Sequence, residues 1–417
     1  MAPAPHAPAP RLVPATTQAA TLAGARAATQ AATRAAPQGP EVAWLPPRSP
    51  RLMAWSPPAA GHVHGQTGGQ LAVAGPLRYV VHAGCITAPT LELLAQAGLP
   101  VEAQLEAYDS DAGLLALLRR LCAAGLRLCA QRLMPEDELP ARHALVAPGL
   151  LAWLNDKAAL PALVPPAHLP RRRVLPVAAL PDAARLLAGG PVVLKASTHV
   201  PSGGGHAVWV VRTPAEVEAV RERLAGEPRV VLEELLPIAR TLCVHATVDA
   251  QGATHLWGAA EEIVEGTAWR GNWMDAATDT LPAGVLEATR ACVEAAARHG
   301  YRGVAGVDVA LCRDGRPPQV LDLNFRTNGS TTLAWLAPAL RARGHAALGM
   351  RVFAAPAYAR VHAAARAGLE AGEFLPLALY DPAVGAHGGL ARLWGLVLGA
   401  SRAQAAAAEA RLRARLA

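Results

Sequence analysis

Apolar residues along this chain fall into short runs whose spacing switches between the period of a strand and that of a helix. Thr241–Val248 alternates cleanly, with Leu242, Val244, Ala246 and Val248 on one side, which predicts a half-buried strand. Arg78–Ala83, Pro191–Ser197, Arg229–Glu234, Val304–Cys312 and Gln319–Arg326 are further strand candidates, rich in β-branched and apolar residues. Between them lie helical spacings. Leu114, Leu117, Leu118 and Leu121 mark Ala112–Ala124, Val217, Val220 and Leu224 follow Thr213-Pro214-Ala215-Glu216, and Leu286–His299 leads to Gly300. Thr213 with Glu216 predicts a capping box, with Pro214 at the first helical position. Thr90–Ala97 and Ala112–Ala124 each run into a glycine, Gly98 and Gly125, as helices closed at C′ do. The alternation of strands and helices places the chain in the α/β class.

Four segments follow from this pattern. Residues 1–75 are rich in Ala, Pro, Thr and Gly without periodicity, and are expected to be low-complexity and disordered. Ordered structure is predicted from Pro76, with a small α/β unit over 76–150 and a larger α/β domain over 151–350. Residues 351–417 read as a mixed, largely helical tail with a Pro- and Gly-broken stretch around 376–389.

Composition narrows the function classes. The net charge is +7, but residues 1–75 hold a single acid, Glu41, so the excess of base is concentrated there and the rest is close to neutral. Nucleic acid is therefore not an expected partner, and Arg171-Arg172-Arg173 reads as a solvated linker or strand entry. Apolar stretches such as Ala144–Leu154 fall short of the ~18 residues of a spanning helix, so no membrane partner is expected. The six cysteines are scattered, which points to reduced thiols in a cytoplasmic protein, and no secretory leader is evident. His62 and His64 sit in a Gly-His-Val-His-Gly stretch but lack a third ligand, so no metal site is expected there.

Lysine is almost absent. Only Lys157 and Lys195 occur beside thirty-seven arginines. Lys is a compact point charge where Arg is a wide planar fork, so surviving lysines suit a tight phosphate site. Asn155 is read as the N-cap that puts Lys157 in a first helical turn. Lys195 sits on a strand just before Ser202-Gly203-Gly204-Gly205-His206, a turn whose backbone can approach phosphates closely. Further on, Asp322, Asn324 and Arg326 alternate with Leu321, Leu323 and Phe325, putting the polar trio on one face at about 6.6 Å per step. A carboxylate and an amide oxygen beside an arginine suit Mg²⁺ and phosphate. Asp308 joins them only in one register. A tight turn on Asp314-Gly315 would oppose it to Leu321, whereas a loop centred on Gly315 opposes it to Asp322. Pro317 and Pro318 disfavour the tight turn, so the second register is predicted.

The ordered set resembles the ATP-grasp superfamily over roughly residues 151–340. Leu154-Asn155-Asp156-Lys157 looks like the first lysine of that fold, and Lys195 like the second. Ser202, Gly203, Gly204 and Gly205 look like its mobile glycine loop. Val231–Leu236, with Glu233, Glu234 and Leu236, looks like the hinge that holds adenine. Asp308, Asp322 and Asn324 stand at the metal-ligand positions, and Arg326 at that of the arginine on transferred phosphate. Two departures stand out. The acidic ligands are often Glu but are both Asp here, and Arg240-Thr241-Leu242 stands where many relatives carry a ribose-binding Glu.

The resemblance implies an ATP-grasp fold preceded by a small α/β domain and followed by a helical C-terminal region. It also implies ATP as cofactor with one or two Mg²⁺ ions, for which Mn²⁺ can substitute. The implied reaction is ATP-dependent joining of a small carboxylate and an amine, amino acids or short peptides by analogy, through an acyl phosphate with release of ADP and phosphate. Lys195 and Arg326 would be catalytic. Two alternatives stay open at this point: a carboxylase of the same fold, and a nucleotide-binding module without catalysis. Glu265–Trp273 reads as an exposed loop, the alternative being that Arg270 and Asn272 face the acceptor substrate, and the oligomeric state is unread.

Overall fold

Three sheets organise the chain. A computed structural model describes residues 42–52, 55, 60–198, 204–385 and 387–417. The first sheet is parallel, with strands β1 (Val42–Leu45), β2 (Arg78–His82), β3 (Gln104–Tyr108) and β4 (Arg127–Ala130) in the order β3-β2-β1-β4. Helices Ala88–Gln96 and Asp111–Ala123 make the crossovers from β2 to β3 and from β3 to β4. The second buries Leu114, Leu117, Leu118 and Leu121, as its spacing predicts.

The expected boundary at Pro76 is corrected. Order begins at least as early as Val42, and β1 is an inner strand of the first sheet with all four residues buried. A four-residue strand covered on both faces shows no alternation, so nothing in Val-Ala-Trp-Leu separates it from the surrounding low complexity. Much of the rest of 1–75 lies outside the described residues.

The second sheet is antiparallel, with β5 (Arg172–Pro176), β6 (Val192–Ser197), β7 (Val208–Val211) and β8 (Arg229–Glu234) in the order β5-β8-β6-β7. Helix Pro214–Arg223 covers it through Val217 and Val220. Its capping box is present as predicted: Glu216 N–H donates to Thr213 Oγ1 at 3.3 Å, and Thr213 N–H donates to the Glu216 carboxylate at 3.0 Å.

The third sheet holds β9 (Ile238–Val248), β10 (Thr254–Glu265), β11 (Ala268–Met274), β12 (Gly303–Cys312), β13 (Gln319–Asn324), β14 (Ala347–Ala355), β15 (Phe374–Tyr380) and β16 (Ala391–Gly399). They run antiparallel in the order β13-β12-β9-β10-β11-β14-β16-β15. Helix Ala283–Arg298 packs Val285, Ala288, Cys292 and Val293 into one core with Val244, Val307, Val309, Leu323 and Phe325. That core fixes which face of β12 and β13 is apolar, and so leaves the opposite face for polar chemistry.

The tail carries the expected helices, Tyr358–Glu370 and Arg402–Leu416. It also carries β15 and β16, which extend the large sheet through β14. Every residue of β15 is buried, so it reads as an unbroken apolar run, and Pro376 inside it masks a strand further.

The β12–β13 hairpin settles the register of the two aspartates by an unexpected route. Ala310 opposes Gln319 and Val309 opposes Val320, the pairing of the tight turn. The register then shifts, so that Asp308 opposes Asp322, Val307 opposes Leu323 and Gly306 opposes Asn324. Leu321 is the extra residue of a β-bulge. The predicted pairing of Asp308 with Asp322 is present, and the bulge rather than the loop produces it. Val320, Leu323 and Phe325 consequently share the core, with Leu321 left out of it. The strand ends at Asn324, so Arg326 lies on the following bend rather than in the strand.

Candidate active site

Both lysines are buried, 7% exposed for Lys157 and 5% for Lys195. Lys157 opens a short 3₁₀ turn, Lys157–Ala159, whose N-cap is Asp156. Asp156 Oδ1 accepts from Ala158 N–H at 2.9 Å and from Ser197 Oγ at 2.8 Å. The expectation that Asn155 caps this turn is corrected. Asn155 closes the preceding helix, Pro148–Leu154, with ψ near 1°, while Asp156 has the extended ψ of 126° that an N-cap requires. Asn155 is instead a spacer across the site. Its Oδ1 accepts from Phe325 N–H at 3.2 Å and from Arg326 Nη1 at 2.9 Å.

Lys157 Nζ lies 3.1 Å from Asp322 Oδ2. Lys195 Nζ lies 2.7 Å from Glu233 Oε1 and donates to the carbonyl of Leu321 at 3.1 Å. The bulge residue therefore gives its carbonyl to the second lysine. Arg172 completes the network, with Nη1 3.5 Å from Glu233 Oε2 and Nη2 donating to the Lys157 carbonyl at 2.8 Å. The reading of residues 171–173 as a solvated run is corrected for Arg172, whose side chain is only 3% exposed. Alternation along β5 turns Arg172 inward between two outward neighbours.

Charge is divided unevenly among the acids. Burial alone would raise Asp322, but Lys157, Lys195 and Arg326 together hold it below the ordinary carboxylate range. Burial, and next the charge of Asp322, push Asp308 up to about 7. Glu262 on β10 is pushed well above its usual value by burial, then by Asp308 and Asp322. Asp308 Oδ2 accepts from Asn324 Nδ2 at 2.9 Å, while its Oδ1 is buried without a hydrogen-bond partner among the described residues. Such a set fits a hard divalent cation: aspartate oxygens and an amide on one face, with one acid oxygen unsatisfied. Lys195 is lowered by burial, against the opposing charge of Glu233.

The remaining predicted positions are placed as follows. Residues 235–237 link β8 of the second sheet to β9 of the third. Glu233 faces the lysine network, whereas Glu234 accepts from the Arg171 backbone at 2.9 Å and from Arg316 at 3.1 Å. Leu236 is buried. Ser202 and Gly203 lie outside the described residues. Gly204 and Gly205 have φ of +64° and +82° and dock on the β10–β11 turn. Trp269 N–H donates to the Gly204 carbonyl at 3.2 Å, and a Cβ on Gly205 would lie 1.7 Å from the Thr267 carbonyl oxygen. Arg326 Nε is buried without a hydrogen-bond partner among the described residues.

Two family models match the chain, and both describe the same ligase. The model described as "L-aspartate--L-methionine ligase N-terminal domain" matches residues 38–152, and "L-aspartate--L-methionine ligase, ATP grasp" matches 170–324. The chain belongs to the ATP-grasp superfamily. It is an ATP-dependent ligase that forms carbon–nitrogen bonds, with small amino acids as its class of substrate. Solved structures share the ATP-grasp fold along nearly the whole length. An N5-carboxyaminoimidazole ribonucleotide synthetase bound to ADP has a TM-score of 0.58 at 16% identity, covering 89% of this chain and 96% of its own. The Staphylococcus aureus synthetase with ADP gives 0.57 at 11%, covering 90% and 96%. The Aspergillus clavatus enzyme with ATP gives 0.58 at 14%, covering 90% and 98%.

Sequence reasoning missed several residues of this candidate site. Glu262 carries no motif, Asn155 reads only as a cap and Arg172 only as part of a solvated run, and each acts through a sheet or loop contact far away in sequence. Gln131 is another: its Oε1 accepts from Thr327 N–H at 2.9 Å and Oγ1 at 3.1 Å, tying the first sheet to the loop after Arg326. The position of Gln131 just past the end of β4 was the available signal.

The Gly-His-Val-His-Gly stretch finds partners that its sequence lacks. His64, His82 and His387 bring ring nitrogens within 4.8 Å of one another. His64 stacks on His387 at 3.7 Å, and His82 Nδ1 accepts from Gly84 N–H at 3.0 Å. Zinc bound by imidazoles needs ring nitrogens about 3.3 Å apart, aimed at one point. Stacked rings do not aim so, and the cluster is a packed group of stacked and tilted imidazoles. Among the described residues, no helix is long and apolar enough to cross a membrane.

Proposed function

We propose that the protein joins L-aspartate to L-methionine through an amide bond, driven by ATP. The observation that carries this reading is the lysine–carboxylate network at the junction of the two antiparallel sheets, together with the two ligase family models. In the first step a carboxylate oxygen of the donor attacks the γ-phosphorus, and the bond to ADP breaks. In the second the acceptor amine attacks the acyl carbon, the bond to phosphate breaks, and the amine gives up a proton.

The residues divide this work by charge and position. Lys157 and Lys195 would neutralise α- and β-phosphate oxygens, and Gly204 and Gly205, at positive φ beside the β10–β11 turn, would offer backbone N–H groups to the γ-phosphate. The segment from Glu233 through Glu234 to Leu236 would border adenine with its backbone, while the Glu233 carboxylate holds Lys195. Asp308, Asp322 and Asn324 would hold Mg²⁺, and the ion would supply charge neutralisation to the phosphates. Arg326 steadies the acyl phosphate, with Asn155 fixing its guanidinium. Catalysis of this kind is positioning and electrostatics. A cytoplasmic setting fits six free cysteines.

The test is mass spectrometry of products after incubation with ATP, Mg²⁺, L-aspartate and L-methionine. The expected products are the amide of the two amino acids, ADP and phosphate in equal amounts. AMP with pyrophosphate, or ADP released without the amide, rejects the reading. Bicarbonate-dependent turnover without methionine would favour the carboxylase instead.

A further inference from the structure

The polar face of the large sheet continues past the metal-side acids. Cys243 on β9 opposes Asp308 of β12 on one side and Ala260 of β10 on the other. Directly opposed residues of antiparallel strands share a face, and so do residues two apart in one strand. Glu262, two residues beyond Ala260, therefore stands on the face of Asp308 and Asp322, two strands or about 10 Å to the side of Asp308. Its direct partner is Asn272 on β11, at a Cβ separation of about 5 Å.

Both members of this pair hold unused polar atoms. Asn272 is 1% exposed. Its Oδ1 accepts from Trp269 Nε1 at 3.0 Å, while its Nδ2 is buried without a hydrogen-bond partner among the described residues. The indole N–H can only donate, which fixes the amide so that the free atom is a donor. A buried donor without an acceptor is costly and points to a ligand oxygen. Glu262 stays partly exposed and makes no hydrogen bond or ion pair among the described residues. Asp308 and Asp322 are the neighbouring charges that act on it. A carboxylate so placed favours a cationic ligand. A metal ion would gain only Glu262 from the pair, because the Asn272 oxygen is already taken.

The surroundings suit a small organic molecule. A Cβ on Gly329 would lie 2.6 Å from the Trp269 ring, so the loop after Arg326 rests directly on that indole. The same loop reaches Cys243, whose Sγ accepts from Asn328 Nδ2 at 3.0 Å. It thus spans from the indole beside Asn272 to the thiol beside Asp308. Arg270, by contrast, is exposed and paired with Glu265.

We propose that Glu262 and Asn272 form the subsite of the amine substrate, an α-amino acid, with Glu262 taking its ammonium group and Asn272 Nδ2 donating to one of its carboxylate oxygens. This rests on the ligase reading above. The α-nitrogen is the nucleophile of the second step. Glu262 lies two strands from Asp308, which sets that nitrogen within about one substrate length of the acyl phosphate.

The experiment is calorimetric titration of the full chain, with Mg²⁺ and the non-hydrolysable ATP analogue AMPPNP bound. L-methionine and L-alanine are each compared with the acid that lacks the α-amino group, in wild type, Glu262→Gln and Asn272→Ala. L-aspartate, AMPPNP and Mn²⁺ are titrated separately. Wild type is expected to prefer the amino acid on the order of 10- to 100-fold, the scale of one hydrogen bond between charged groups. Glu262→Gln should lose this preference and bind the acid without the amine as wild type does. Asn272→Ala should weaken both compounds alike and keep the preference. Unchanged AMPPNP and Mn²⁺ affinities show an intact fold and metal site; if Asn272→Ala does not fold, Glu262→Gln decides alone. The subsite is overturned by a wild type that prefers neither amino acid, by a preference that survives in Glu262→Gln, or by loss of Mn²⁺ or L-aspartate affinity in that variant. A preference shown for L-alanine but not L-methionine sinks the methionine reading and leaves the subsite standing. So does a preference for L-methionine without any amide product, which sinks the proposed reaction alone.

Discussion

Asp308 and Asp322 face one another because the strand carrying Asp322 bulges at Leu321. Without the bulge Asp308 would oppose Leu321, and Asp322 would point into the core. The bulge does a second thing: it aims the Leu321 carbonyl at Lys195. These effects can be separated. Deleting Leu321 lets Val320 run directly into Asp322 in one unbroken ladder, so the aspartates still pair. The variant is expected to fold and bind Mn²⁺ like wild type, yet to turn over roughly tenfold more slowly, the scale of one lost hydrogen bond to a charged donor. Electron paramagnetic resonance of bound Mn²⁺ and an ADP-release assay read the two effects independently.

Lys195 is enclosed by Glu233 and the Leu321 carbonyl, with Arg172 alongside. Lys195→Ala should slow ADP release at least tenfold. Lys195→Arg should also fail, because a planar fork does not fit a point-charge site already sharing its glutamate with an arginine. Near wild-type turnover in the Arg variant would show that charge alone suffices.

Asn155 joins the lysine turn to Arg326 through one oxygen with two donors. Asn155→Ala should lower kcat by about tenfold, the magnitude of a lost bond to a guanidinium, and leave the KM for ATP nearly unchanged. Asn155→Asp keeps an acceptor at that place and is expected to restore most of the rate.

Gly205 touches the β10–β11 turn too closely for any side chain, at positive φ. Gly205→Ala must push the turn aside, so the glycine segment loses its rest against Thr267 and Trp269. Lower turnover with a melting temperature within a few degrees of wild type is expected, since the strained contact lies at an edge. Stopped-flow tryptophan fluorescence, with Trp269 beside the segment, should report altered kinetics on adding ATP.

Burial, then the neighbouring His387 and His82, lower His64 to about 3. Its neutral form is favoured in the fold, while the unfolded chain takes up a proton below about 6.5. The contribution is fully present above that pH and is lost as pH falls toward 3. Wild type should therefore lose more melting temperature between pH 6.5 and 4 than His64→Gln does. Parallel melting curves for the two would show that this imidazole does not titrate on unfolding.

Legibility followed periodicity. Helices with clear leucine spacing, the capping box at Thr213 and the alternating face of β9 could be read directly, whereas the faces of β13 were read correctly only from Asp322 to Asn324. β1 and β15 escaped because a strand buried on both faces has no alternation to detect. Arg172 and Asn155 escaped for a different reason. A run of three arginines looks solvated until a strand turns one of them inward, and Asn155 and Asp156 are equally good caps until the backbone chooses. The aspartate register was right in outcome and wrong in cause, since a bulge carries no residue signature of its own.

The burial of both lysines has a practical corollary for chemical labelling. The side-chain amines of this protein all lie within the candidate nucleotide cleft, and none is on the outer surface. An amine-reactive probe applied to the folded protein thus has two interior targets and the α-amino group, with no background from surface lysine. Protection of Lys157 and Lys195 by ATP, read peptide by peptide, becomes a footprint of nucleotide occupancy that needs no mutation.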